Sequence, residues 1–206
     1  MTSITHKRVE YTELFYDLVF VYAISKTTAL LHHLDNGMVT FESMLTFLLT
    51  LIILLNNWLI QTGFTNRHGK NSLLNMFVSY LNMVILLFIS NLITQEWELA
   101  FQKFCLALGT LSLTLFVQYL IEYMKKRTSC GSLRTIRGLL WLTGFRAVSV
   151  YTASFLPLKF GVPIFLAGFL STFAMPIFME MRGDKFISNL PHLIERLSLL
   201  VIITFG

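Results

Sequence analysis

Apolar residues in this chain run in blocks of about twenty, the length that carries a helix across a bilayer, rather than in the shorter periods of a soluble domain. Read with a window of about 19 residues, the pattern predicts six complete membrane helices. They fall at Thr12 to Leu31, Val39 to Gln61, Ser72 to Ile93, Leu99 to Met124, Gly138 to Leu156 and Val162 to Glu180. A seventh apolar run starts near Pro191 and reaches Gly206 without a polar flank. At about 16 residues it is shorter than the roughly 20 needed to span, so the chain is expected to be truncated there. The predicted architecture is all-α: a polytopic transmembrane helical bundle forming a single membrane domain over residues 1–206.

Composition supports that class. Hydrophobic residues make up 55% of the chain and charged residues 13%, against about 25% charged in a soluble domain. The net charge of +5 raises the question of nucleic acid, but the distribution of the basic residues answers it. Lys7, Arg8, Arg67, Lys70, Lys125, Lys126, Arg127, Arg134, Arg137, Arg182 and Lys185 lie in alternate loops, eleven of the sixteen Lys and Arg residues in all. The opposite loops hold Lys159 with Asp35, Glu96 and Glu98. By the positive-inside rule this predicts a membrane protein with a cytoplasmic N-terminus, and disfavours nucleic-acid binding. Glu13 and Asp17 interrupt what would be the uncharged core of a signal peptide, so the first run is read as a retained helix. Cys105 and Cys130, one in a span and one in a loop, are too far apart for a disulfide.

Polar residues inside the spans fall on stripes. Ser43, Thr46, Thr50, Asn57 and Gln61 share a sector of the second helix; Ser72, Asn75, Ser79 and Asn82 share one on the third; Thr114, Gln118 and Glu122 line one side of the fourth. Ser and Thr are expected to join helices to one another. Asn57, Gln61, Asn75 and Asn82 are costlier to bury and point to a polar pathway or pocket. Charge is sparser. Glu13 and Asp17 share a face of the first helix, and Arg146 lies about 12 Å inside the fifth at 1.5 Å per residue. A guanidinium at that depth requires a counter-ion, and Asp17 is its expected partner. Either that pair locks two helices or it serves ion or proton movement. Lys26 and Lys103, near span ends, are expected to snorkel.

Weaker signals close off other chemistries. His32, His33 and Asp35 sit together, but adjacent histidines point different ways, and no metal site is expected. Trp97 near one boundary, and Trp58, Tyr119, Tyr123 and Trp141 near the other, read as interfacial belts. Ala167, Gly168, Ser171 and Ala174 ahead of Pro176 predict a close-packed, kinked sixth helix. The chain has no phosphate loop, nucleophile elbow, HExxH or paired-cysteine site, so neither an enzyme activity nor a cofactor is expected.

Two stretches carry a family resemblance. Arg8-Val-Glu-Tyr-Thr-Glu13-Leu-Phe-Tyr-Asp17-Leu-Val-Phe-Val-Tyr22-Ala resembles the "R..ELFFDLVFVFA" signature of the bacterial low temperature requirement A membrane proteins. His192-Leu-Ile-Glu195-Arg196-Leu-Ser-Leu-Leu-Val-Ile-Ile-Thr-Phe-Gly206 resembles that family's second signature, "H..ERFGLLTIIALGE". The resemblance implies a multipass protein of nearly twice this length, associated with growth in the cold, without an assigned molecular activity. Glu13 to Val21 also lies over Glu195 to Ile203 at an offset of 182 residues. That match reads equally as a duplicated unit or as coincidence among apolar residues.

These readings converge on a transporter- or channel-like membrane protein. Glu13, Asp17, Asn57, Gln61, Asn75, Asn82, Arg146, Glu195 and Arg196 are the candidates to line its polar or ion site. The rival is a non-transporting scaffold or sensor in which the same charges only fix helix packing. Expected partners are the lipid bilayer and either a second copy in a homodimer or the missing C-terminal half.

Overall fold

A computed structural model describes residues 11–32, 34–35, 38–68, 73–93, 97–125, 130–173 and 190–205. Lys7, Arg8, His33, Lys70, Ser72, Glu96, Lys126, Arg127, Pro176, Arg182 and Lys185 therefore lie outside the described residues, and with them the expected kink and C-terminal end of the sixth span. Seven α-helices are present among the described residues: α1 (Tyr11–Thr28), α2 (Phe41–His68), α3 (Leu73–Leu92), α4 (Trp97–Met124), α5 (Cys130–Ser154), α6 (Leu158–Ser171) and α7 (Leu190–Phe205). A 3-10 turn, Ala29–His32, extends α1 and leads into a small antiparallel ladder in which Leu34 pairs with Val39 and Asp35 with Met38. That ladder is too short to leave a periodic signal in the sequence.

Among the described residues, four segments are long and apolar enough to cross a bilayer: Tyr11–Leu31, Phe41–Asn66, Leu73–Leu92 and Ala100–Met124. Helices suit that solvent because each satisfies its backbone hydrogen bonds internally. Leu73, Phe77, Val84 and Phe88 of α3, and Trp141, Phe145 and Val148 of α5, point outward from the bundle, as lipid-facing positions do. α5 begins eight residues earlier than the apolar pattern alone predicts, because Cys130–Arg137 is helical despite Arg134 and Arg137. α6 differs at its start: it begins at Leu158, directly after Pro157, and carries Pro163 inside it.

The core is arranged in two apolar clusters. The larger gathers Phe20 of α1, Leu54 and Trp58 of α2, Leu86 and Ile89 of α3, Phe104 and Leu108 of α4, Val150 of α5 and Leu200 of α7. The smaller gathers Ile60 and Phe64 of α2, Leu115 and Tyr119 of α4, and Ile136, Leu139 and Leu140 of α5. Along α5, Arg146 falls between the members of the two clusters; along α2, Asn56 and Asn57 lie within the larger one, between Leu54 and Trp58. Burial of the surrounding apolar surface thus encloses a group of polar side chains inside the bundle.

Helices approach closely where glycine allows it. A β-carbon on Gly161 of α6 would stand 2.8 Å from the Ala153 carbonyl oxygen of α5, and one on Gly168 would stand 2.5 Å from the Ser149 β-carbon. The close packing expected of the sixth helix is therefore real at Gly168, and α5 and α6 form a tight helical hairpin. Among the described residues, Thr110, Thr114 and Thr172 do join helices as expected, and several other hydroxyls do not. Thr65, Ser90, Ser112, Thr143, Thr152 and Ser198 bond carbonyls three or four residues back in their own helix. That local acceptor is always within reach, whereas a neighbouring helix seldom offers one at the right height.

Candidate functional site

The centre of the bundle holds two buried arginines in different surroundings. Arg196 of α7 is 1% exposed and Asp17 of α1 is 2% exposed. Their side chains meet in a two-pronged ion pair, with Arg196 Nε donating to Asp17 Oδ2 at 2.9 Å and Nη2 donating to Oδ1 at 2.6 Å. Trp58 of α2 completes this corner: its indole Nε1 donates to Asp17 Oδ1 at 2.7 Å, and its ring centroid lies 5.8 Å from the Arg196 guanidinium carbon. Three helices thus converge on one carboxylate.

This corrects two expectations. The partner of Asp17 is Arg196, not Arg146. Asp17 is only one and a half turns into α1, and Arg196 lies at a matching depth in α7, which packs directly on α1. Trp58, expected in an interfacial belt, is instead buried beside the ion pair, and Tyr119 is buried against Phe64, with ring centroids 4.9 Å apart. Both side chains turn inward because α2 and α4 bury these faces; hydropathy reports depth but not azimuth. Tyr123 and Trp141 do face outward.

Arg146 occupies a second corner. It is 2% exposed. Eight residues before the end of α5, it lies roughly 12 Å from that end. Its acceptors are neutral: Nη1 donates to Asn56 Oδ1 at 3.3 Å and Nη2 donates to Asn57 Oδ1. The Phe169 ring centroid of α6 is 5.9 Å from its guanidinium carbon. The Asn57 amide is oriented by its own Nδ2, which donates to the Ile53 carbonyl at 3.2 Å, so its oxygen is left for the guanidinium. Asn56 Oδ1 also lies 2.9 Å from the Thr172 hydroxyl, just past the end of α6. Among the described residues no carboxylate lies within ion-pair distance of Arg146. Its Nε, like Nη1 of Arg196, has no hydrogen-bond acceptor among them. Tyr16 of α1, itself buried, lies within electrostatic reach of both guanidiniums and of Asp17.

Two further polar links tie the remaining helices to this centre. Gln61 Nε2 of α2 donates to Gln118 Oε1 of α4 at 3.3 Å, and the Thr114 hydroxyl of α4 lies 2.7 Å from Asn82 Oδ1 of α3. Of the residues singled out from the sequence, Asp17, Asn57, Arg146 and Arg196 come together at the centre, and Gln61 and Asn82 make the flanking links. Glu13 is buried one turn before Asp17, with an interaction of its own. Asn75 is half-buried on α3 and also engaged. Glu195 points away: it is exposed, while its neighbour Arg196 is buried, because successive residues on a helix are 100° apart. The two glutamates at the heads of the internal match therefore sit in unlike environments.

Asn56, Trp58, Tyr16 and Thr172 were not among the sequence candidates. A signal existed for Asn56, an amide beside Asn57 in an otherwise apolar run. None existed for Tyr16 or Thr172, whose roles depend on which helices become neighbours.

No curated protein matches the chain, and no solved structure does. The family described as bacterial low temperature requirement A protein (LtrA) matches over residues 8–206, which takes in both corner arginines, Asp17 and every helix described above. A membrane protein with its buried ion pair built between the two ends of that match, this chain belongs to the LtrA family.

Proposed function

We propose that this protein is a multipass protein of the bacterial cytoplasmic membrane, with its N-terminus in the cytoplasm, that passes an ion or small solute along its central group of polar side chains. In this reading α1 to α6 are six spans, and α7 packs on α1. α5 qualifies by length, with 25 residues, and α6 is the described part of the apolar run from Val162 to Glu180.

The observation that carries the proposal is the state of Arg146. A charged side chain in the middle of a membrane bundle is costly, and is ordinarily paired or placed on an ion or substrate pathway. Asp17 and Arg196 satisfy the first condition. Arg146 rests on amide oxygens and an aromatic face, which orient a guanidinium without neutralising it. A second reading, a non-transporting scaffold or sensor, is supported by the Asp17, Arg196 and Trp58 corner, whose two-pronged ion pair and indole hydrogen bond suit a lock between α1, α2 and α7. The two readings divide by site: the lock accounts for one arginine and leaves the other.

Reconstitution tests this. The 206-residue chain in sealed vesicles is assayed for flux of protons, monovalent cations, anions and small solutes, beside Arg146→Gln and Asp17→Asn. Transport predicts flux that Arg146→Gln reduces at least tenfold in protein that still inserts. Vesicles impermeable to all of these would favour the scaffold.

A further inference from the structure

We infer that a groove between α4 and α5, on the outer surface of the bundle, binds one anionic phospholipid, with the phosphate at Arg137 and an acyl chain along the groove. The inference rests on α5 lying in the membrane and is independent of transport. The groove encloses about 550 Å³, within the roughly 300 to 1,000 Å³ of small-ligand sites. Its floor is low at Gly144, which has no side chain to fill it and where a β-carbon would already stand 3.2 Å from the Phe116 ring. Phe145 and Val148 of α5, both exposed, form one wall. Hydrocarbon is the natural filling of such a surface in a bilayer.

The ends of the groove are unlike. Close approaches of Gly109 to Tyr151 and of Gly144 to Phe116 set the antiparallel register of α4 and α5, which brings Arg137 level with Tyr123. Arg137, Tyr123 and Trp141 therefore share one end of the lining, and Val148 lies at the other. From Arg137 to Val148 the groove follows α5 for about 16 Å at 1.5 Å per residue, about half of a hydrocarbon core roughly 30 Å thick. Its length thus matches one leaflet. Arg137 is exposed, and among the described residues no carboxylate lies within ion-pair distance of it. Glu122, near the same end of α4, is held by Lys125 at 3.6 Å. The planar donors of a free guanidinium fit phosphate oxygens two at a time, and Tyr and Trp rings are at home at headgroup level. A cation at the mouth and an apolar channel one leaflet long together complement an anionic lipid.

Trp141, exposed in the lining, supplies a reporter. The 206-residue chain is reconstituted in phosphatidylcholine vesicles that hold a small fraction of acyl-brominated phosphatidylglycerol or, in parallel, of acyl-brominated phosphatidylcholine. The Trp141 signal is the difference between this chain and Trp141→Phe. Brominated phosphatidylglycerol should quench it at a concentration about fivefold lower than brominated phosphatidylcholine, the ratio that one basic residue supplies at an anionic membrane surface. Arg137→Gln should abolish that preference and Arg137→Lys should keep it; position 137 is exposed, so neither change threatens the fold. Equal quenching by the two lipids, or a preference that survives Arg137→Gln, would overturn the site. A dimer in lipid-free detergent that Trp141→Ala dissociates would also overturn it, by giving the groove to a second copy of the chain. Quenching by neither lipid would take α5 out of the bilayer and remove the six-span reading together with the site, whereas loss of the headgroup preference alone would spare that reading.

Discussion

At the scale of single residues, the two buried arginines differ in what they would lose. Removing one member of a buried ion pair strands the other, at a cost of about 3 to 5 kcal/mol. Asp17→Asn should lower stability by that order in detergent, measured as the unfolding free energy of protein in mild micelles. Exchanging the pair, Asp17→Arg with Arg196→Asp, should recover part of the loss. The same exchange between positions 17 and 146 should recover none, and a recovery there would show that the pairing described above is wrong. Trp58→Phe keeps an aromatic ring near Arg196 but deletes the indole donor together with the pyrrole half of the ring system. A hydrogen bond to a charged group contributes about 1.5 to 3 kcal/mol, and the lost buried volume adds to it, so the same unfolding assay should register a loss of at least that size.

At the scale of elements, the α5 and α6 hairpin is the most tightly specified pairing, because at Gly161 the obstacle to a side chain is backbone. The Ala153 carbonyl oxygen, 2.8 Å from where a β-carbon would sit, cannot rotate aside. Gly161→Ala should therefore push the helices apart and cost about 1 to 3 kcal/mol, as overpacking generally does. Ala167→Leu on the exposed face of α6 is the control, expected to stay within about 0.5 kcal/mol of the parent. The α3 and α4 pair depends on a softer contact. Asn82→Leu removes the acceptor of the Thr114 hydroxyl, which can still donate to the Leu111 carbonyl at 2.8 Å. The loss should then fall near the average for interhelical hydrogen bonds in membranes, about 0.6 kcal/mol and at most about 1.7.

At the scale of the whole molecule, buried polar side chains lie within and beside the larger apolar cluster, and six of the seven described helices send a polar side chain there or into its flanking links. Helices are therefore held in azimuth by the polar contacts and in contact by the apolar ones. The orientation of this assembly in the bilayer is a separate matter, carried by loop charge. In a cysteine-free background, a cysteine at position 97 or 159 should react with an impermeant maleimide from outside intact cells, and one at position 125 only after lysis. Labelling of position 97 from the cytoplasmic side alone would invert the proposed topology.

The sequence by itself determined the class and most of the helices, and it marked the charges that lie inside apolar runs. Long apolar runs fold as helices in a bilayer because no other open structure there satisfies the backbone, so Asp17 and Arg146 were known to be buried before any neighbour was known. The stripe of Asn57 and Gln61 on α2 and the dipeptide Glu195-Arg196 were likewise visible as costly polar positions. Only the tertiary structure decided who meets whom. Asp17 meets Arg196, 179 residues away, because α1 packs on α7, and Arg146 finds amides because α2 faces α5 at that height. Trp58 turned from a membrane-boundary marker into a ligand of Asp17 for the same reason. Hydropathy is a function of position along one helix, and depth follows from it; pairing depends on the rotation of each helix about its axis, which is set jointly by all the faces that pack together.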